Sequence, residues 1–401
     1  MPDFLEERFE SMEQRTEKQE LGFYVHLPFC VKKCRYCDFL SAPATKEMQK
    51  EYCQALLREI ESYGFAVSQY KIRTIYFGGG TPSLLEAEWI GRILEKICHV
   101  FSDTDKRNTE ITLEVNPGTV NRQKWKAYEQ MGINRISMGL QSSHDAELKL
   151  LGRVHSYKDF LLCYEDARAQ NFSNISVDIM SALPGQRIDT YRETLERVVK
   201  LKPEHISSYS LIVEPETAFW QEYGSGMPKE TLLPDEDTDR RMYALTKNIL
   251  ETHGYKRYEI SNYAKPGFES KHNSSYWIGI PYIGLGLGAA SYFQGKRYCN
   301  TNQMKPYLQY AGEEKKRVEQ VEEIGKKEAM EEFMFLGLRM TKGIEISRFS
   351  ERFHENIYDV YGSVLVRLKK QNLLQDNGTH IWLTDYGIDV SNVVLSEFLL
   401  D

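Results

Sequence analysis

The residues best suited to chemistry lie close together near the start of the chain. In HLPFCVKKCRYCDFL, Cys30, Cys34 and Cys37 take a C-x3-C-x2-C spacing directly after a β-type run. A structural zinc site wants four N or S ligands, commonly in CxxC pairs, and this spacing supplies one such pair. Three thiolates on a cubane cluster instead bind three irons and leave the fourth with an open position, whereas electron-transfer ferredoxins supply four cysteines. Cys53, Cys98, Cys163 and Cys299 are isolated and read as small buried hydrophobes. Seven cysteines in a chain of 401 residues without an export signal argue against a disulfide framework.

A second group of candidates falls at the ends of β-type runs. IYFGGGTPS ends with Gly78, Gly79, Gly80 and Thr81, and glycines let backbone approach a ligand with no Cβ in the way. The turn has neither the Lys of a P-loop nor the G-x-G-x-x-G spacing of a dinucleotide fold. Glu114 in LEVNPG, Gln141 in GLQSS, Arg153 in LGRVHS and Asp178 in VDIMSALPGQ occupy similar positions. Glu114 and Asp178 can accept from ammonium or hydroxyl groups, and Arg153 can pair with a carboxylate. Each carboxylate could equally cap the helix that follows it.

The elements that must position these residues alternate regularly. GFYVHL, IRTIYF, EITLEVN, RISMGLQ, NISVDIM and HISSYSLI read as strands, with amphipathic helical patterns between them. About six βα units imply an α/β fold with a parallel sheet, better suited to a partial (β/α)6 barrel than to a closed eight-stranded one. In such barrels the chemistry sits at the C-terminal strand ends. EPETAFWQEYGSGMPKETLLPDEDT reads as a long loop, lid-like, closed by a helix cap at Asp235 or Asp237. The stretch from Tyr258 to Phe293 reads as strands and turns. The charged run 313–332 reads as a solvated helix face at a module boundary. A hairpin at Asp376-Asn377-Gly378 after short helices has the shape of a winged-helix-like module. The expected organisation is a charged N-terminal tail (1–20), a partial barrel (21–230), an extension (231–312) and a C-terminal winged-helix-like domain (313–401).

A formal net charge of −7 and a hydrophobic fraction of 41% describe a globular protein with no basic footprint for nucleic acid. The charged N-terminus has no apolar core of a secretory signal, and the longest apolar-looking run is broken by glycines and a proline. No transmembrane segment and a cytoplasmic location are the resulting expectations.

The cysteine spacing, with Tyr36 just before Cys37, resembles that of radical-SAM proteins. The series of strand-end residues resembles their coproporphyrinogen-oxidase-like branch from about Phe23 to the C-terminal module. The resemblance implies a [4Fe–4S] cluster on Cys30, Cys34 and Cys37, whose open iron is chelated by the amino and carboxylate groups of S-adenosylmethionine (SAM). Reduction then cleaves its sulfonium bond to a 5′-deoxyadenosyl radical. It also implies that Tyr24, Gly79, Gly80, Thr81, Glu114, Gln141, Arg153 and Asp178 line the SAM pocket.

Two readings of different class compete within the branch. Oxygen-independent coproporphyrinogen III oxidases carry a further cysteine where this chain has Phe39, in Cys37-Asp38-Phe39. The haem chaperones carry CDF there, together with an HNxxYW motif, matched here by His272-Asn273-Ser274-Ser275-Tyr276-Trp277. The resemblance therefore favours a haem carrier over the oxidase or another tetrapyrrole-modifying enzyme. It implies haem as cargo, bound by His272, Asn273, Tyr276 and Trp277. His272 would offer an imidazole to iron, and the two aromatics would flank the porphyrin. The competing structural reading has His272 and Trp277 hold a β-turn region together. Met or a cysteine elsewhere is an alternative axial ligand. The implied partner is a haem-acceptor protein, with an electron donor and a homodimer left open.

Overall fold

Parallel strands covered by helices must be apolar on both faces, and the first six strands are buried almost throughout. The computed structural model describes residues 18–64, 70–101 and 108–400. Residues 1–17 of the expected charged tail lie outside them. β1 (Gln19–Leu27), β2 (Tyr70–Gly79), β3 (Glu110–Val115), β4 (Arg135–Gln141), β5 (Ile175–Ser181) and β6 (His205–Ser210) pair in this order, each parallel to the next. Helices α1 (Lys46–Ser62), α2 (Ala87–Val100), α3 (Arg122–Met131), α4 (Asp145–Leu151), α5 (Tyr157–Ala169) and α6 (Ile188–Leu201) form the crossovers. In α2, Ile90, Ile93, Leu94 and Ile97 repeat at helical spacing and are all buried. Full burial of each contributes roughly 1.5–3 kcal/mol. Local signals agree with this burial: Asn121 caps α3 by accepting from the Lys124 amide at 2.9 Å, and Gly132 ends it in the left-handed region.

The barrel does not close. After β6 come α7 (Trp220–Tyr223) and α8 (Glu236–Thr252), the latter capped by Asp235. β7 (Lys256–Arg257) and β8 (Asn262–Ala264) then extend the sheet antiparallel beyond β6. Helix α9 (Lys271–Trp277) follows, and β9 (Tyr282–Leu285) pairs with β1 on the opposite side, continued by β10 (Ala290–Phe293) and β11 (Lys296–Asn300). Helices α10 (Met304–Tyr310) and α11 (Glu314–Arg317) lead to β12 (Val318–Glu323), which completes an open twelve-stranded sheet.

Two segments differ from their sequence readings. The Tyr258–Phe293 stretch contains α9 rather than strands and turns alone. Ser270 accepts from the Asn273 amide at 3.3 Å, and the Glu110 carboxylate accepts from the Lys271 and His272 amides at 2.9 and 3.0 Å. A carboxylate from a remote strand thus satisfies the first turn of a short helix. The charged run 313–332 is not one helix face. Its middle is β12, whose Glu323 and Glu322 stand opposite Lys296 and Arg297 of β11, and cross-strand charge pairing favours a strand there. As an edge strand, its charges also discourage sheet-to-sheet pairing.

Beyond β12, α12 (Lys326–Gly337), β13 (Ile344–Glu345), α13 (Ile346–Phe353), α14 (Ile357–Lys370), β14 (Leu374–Asp376) and β15 (His380–Leu383) enclose a second core around Phe349, Tyr361, Ile381 and Phe398. The hairpin turns at the expected place: Asp376 accepts from the Gly378 amide at 2.8 Å, and Gly378 has φ +85°. The arrangement is winged-helix-like. A buried network fastens α1 to the β9–β12 extension. Glu59 accepts from the Tyr307 hydroxyl and the Asn300 amide, both at 2.6 Å, and stands 3.4 Å from Arg317; both charged side chains are fully buried.

Candidate functional site

The loop after β1 is pinned on several sides before any ligand is considered. The Cys30 amide donates to the Ala42 carbonyl (3.1 Å), the Arg35 amide to Leu151 (3.0 Å) and the Thr81 amide to Phe29 (2.7 Å). These bonds set Cys30, Cys34 and Cys37 around one side of a cavity of about 470 Å³ at the C-terminal strand ends. All three thiols are free and half-buried. Burial pushes the Cys37 thiol up to about 11, so a thiolate there needs a neighbouring cation, which a bound metal provides. Among the described residues, no three His, Cys, Asp or Glu side chains converge closely enough for a single ion. Three free thiols line one cavity, and an iron–sulfur cluster fits that donor set.

Facing the cysteines, the end of β2 is kept open by glycine. A Cβ on Gly80 would lie 2.7 Å from the Phe29 carbonyl oxygen, and one on Gly79, at φ +111°, would lie 2.6 Å from the His26 ring. Thr81 approaches the Cys30 sulfur at 3.6 Å and accepts from the Asn116 amide at 2.7 Å. Glu114, from the end of β3, is half-buried on the cavity wall and pushed up to about 7 by burial, although the Tyr76 hydroxyl donates to it at 2.8 Å. Asp178, from β5, is likewise raised by burial and accepts from the Ser137 hydroxyl at 3.0 Å. Gln141 ends β4 with φ +72°. Arg153 donates to the Asn116 side chain at 2.5 Å and the Gly139 carbonyl at 2.9 Å, and points a further nitrogen at the Cys34 sulfur, 3.7 Å away.

Gly79, Gly80, Thr81, Glu114, Gln141, Arg153 and Asp178 therefore line the same cavity as the cysteines. Tyr24 lies behind that wall. It donates to or accepts from His26 Nδ1 at 3.0 Å and stacks on Tyr76 and His272. His155, beside Arg153, is part of the lining, and burial followed by the Arg153 charge pushes it down to about 4.

Sequence reasoning missed two contributors. Asn116, two residues after Glu114, links Thr81 to Arg153; the NPG that follows the strand was its only signal. Arg135, at the start of β4, is a buried guanidinium in the cavity wall, with its Nε lacking a hydrogen-bond partner. Nothing in its local sequence marks it. The lid-like loop is packed down rather than free: the Phe219 amide donates to the Arg35 carbonyl at 2.9 Å, Arg35 lies over the Phe219 ring, and Arg35 pairs with Glu222. This strap holds the cysteine loop from outside.

The His272–Trp277 motif is divided by its helix. His272 is buried, with Nδ1 bonded to the Thr74 hydroxyl at 2.8 Å and Nε2 to the Tyr276 hydroxyl at 2.9 Å. Burial lowers its pKa to about 3, so it is neutral. Both ring nitrogens are engaged by hydroxyls, and the imidazole joins α9 to β2. Asn273 faces the cysteine cavity. Tyr276 and Trp277 face another cavity of about 450 Å³, bounded by β9–β11 and the C-terminal module. Trp277 carries the Arg339 guanidinium 4.2 Å from its ring.

The chain matches known proteins over most of its length. The Radical SAM superfamily model matches residues 24–198, and the HemN C-terminal domain model matches 324–390. The chain is 38% identical over 378 residues to a protein of Lactococcus lactis named "Heme chaperone HemW", covering 94% of this chain and 97% of the relative. A Bacillus subtilis protein of the same name is 36% identical, covering 94% and 98%. Among solved structures, coproporphyrinogen III oxidase (HemN) from Escherichia coli superposes with a TM-score of 0.83 at 22% identity, covering 99% of this chain and 96% of that one. That likeness shows a shared fold. No helix among the described residues is long and apolar enough to cross a membrane.

Proposed function

The chain belongs to the heme chaperone HemW family within the radical-SAM superfamily, and from that premise we propose that it binds haem and delivers it to an acceptor protein in the cytoplasm. In this reading Cys30, Cys34 and Cys37 hold a [4Fe–4S] cluster, and Gly79, Gly80, Thr81, Glu114, Gln141, Arg153 and Asp178 receive SAM, with Tyr24 supporting them from behind. The cluster, when bound, supplies an electron at an iron open to SAM. Glu114 and Asp178 orient cationic or hydroxyl groups, Arg153 receives a carboxylate, and the glycines admit the ligand to the β2 end. Haem contacts come from Tyr276 and Trp277, whereas His272 and Asn273 act through the position of α9.

The observation that carries the reading is the near-complete coverage of the chaperone relatives at 38% identity. Phe39 supports it: this side chain, 62% exposed, lines the cavity mouth where the oxidase pattern has a cysteine. The test is haem transfer. Reconstituted protein loaded with haem should give up its Soret absorbance to an added apo-haemoprotein. It should form no protoporphyrinogen from coproporphyrinogen III under anaerobic reduction with SAM. Turnover of coproporphyrinogen, without haem transfer, overturns the proposal.

A further inference from the structure

The cavity beside Trp277 has a composition unlike that of an ordinary module boundary. Its floor is apolar and only half-buried: Trp277, Ile278, Ile280, Phe333, Leu336 and Met340 all leave surface open to it. Its rim is cationic. Arg297 is matched by Glu332 at 2.8 Å. Lys342 and Arg348 have no ion pair or hydrogen bond among the described residues, and Arg352 meets only neutral groups, the Tyr292 hydroxyl at 3.1 Å and the Phe353 ring. Glu345 is the one unmatched carboxylate on the same wall, and it accepts from Ser347. Three uncompensated cations against one carboxylate leave a net charge of +2 above an apolar slot. Inside, Trp277 Nε1 is buried without an acceptor.

We propose that this cavity is the seat of a dianionic tetrapyrrole, with its macrocycle on the Trp277 floor and its two propionates paired with Lys342, Arg348 and Arg352 of the C-terminal module. The inference rests on the haem-carrier reading and extends it, because it moves the cargo away from His272 and makes the C-terminal module half of the site. The volume, about 450 Å³, falls in the ordinary range of small-molecule sites, about 300–1,000 Å³. Guanidinium and ammonium groups on an apolar slot are the recognition chemistry for a flat ligand with carboxylates at one edge.

The experiment titrates hemin and hemin dimethyl ester, whose propionates are uncharged, into the full chain and into Lys342→Gln and Arg348→Gln. Both residues are exposed and unbonded, so the variants should keep the wild-type urea midpoint. Hemin affinity is expected to fall about five- to tenfold in each variant, following the loss of one charge-assisted contact, while the ester binds all three proteins equally. If wild type and variants bind hemin equally and the ester no worse, the seat lies elsewhere and this inference fails, while the carrier reading stands. If the wild type binds no hemin at all, the carrier reading itself fails.

Discussion

Replacing His272 with alanine should unfold the protein more easily before it changes anything about iron. The imidazole joins the Thr74 hydroxyl on β2 to the Tyr276 hydroxyl on α9 in a buried chain. Its removal strands both hydroxyls, at about 1–3 kcal/mol each, and leaves a ring-sized hole. A loss of about 2–6 kcal/mol in urea unfolding at pH 7.5, followed by tryptophan fluorescence and circular dichroism, is the expected result. A pH signature should accompany it. The folded pKa, about 3, lies below the unfolded value of about 6.5, so the folded state binds fewer protons between those limits. The contribution of neutral His272 is whole above pH 6.5 and falls as pH drops toward 3, by about 1.4 kcal/mol per pH unit once the unfolded state is protonated. His272→Ala should lose that part of the acid slope. A variant within about 0.5 kcal/mol of wild type, with an unchanged slope and abolished hemin binding, would show that His272 is an iron ligand after all.

Other substitutions probe the frame around the site. Gly80→Ala should displace the cysteine loop, because the new Cβ meets Phe29 backbone rather than a movable side chain; reconstituted iron per chain should drop while circular dichroism stays near wild type. Glu59→Ala leaves Arg317 buried without its counter-charge and should cost about 3–5 kcal/mol in urea unfolding. Gly343→Ala places a Cβ 1.9 Å from the Ile381 carbonyl at φ +68°. It should lower the unfolding free energy by at least the roughly 1–2 kcal/mol of left-handed strain, read by calorimetry as a lower melting midpoint.

The barrel was legible because its signals are local. Six apolar strands, the amphipathic helices between them and the Asp376–Gly378 turn are each decided within a few residues. The cysteines and most strand-end candidates were legible too, since a parallel barrel gathers strand ends by construction. What escaped was decided across the chain. Helix α9 owes its first turn to Glu110, and β12 owes its pairing to β11, and neither partner is visible in a sequence window. Arg135 becomes part of the cavity only when six strands meet. The bond from Thr74 to His272 also spans nearly two hundred residues, and nothing in the His272 motif announces it.

Helix α9 is a partition as well as a pin. It presents Asn273 to the cysteine cavity and Tyr276 with Trp277 to the other, and is fixed between them by groups from β2 and β3. Seven residues make barely two turns, too few to bend within the helix, so a ligand that tilts α9 from one side tilts the opposite lining too. Linkage then fixes the bookkeeping: whatever factor one occupant applies to the other's affinity is returned unchanged. A helix placed in this way can couple occupancy of one cavity to occupancy of the other.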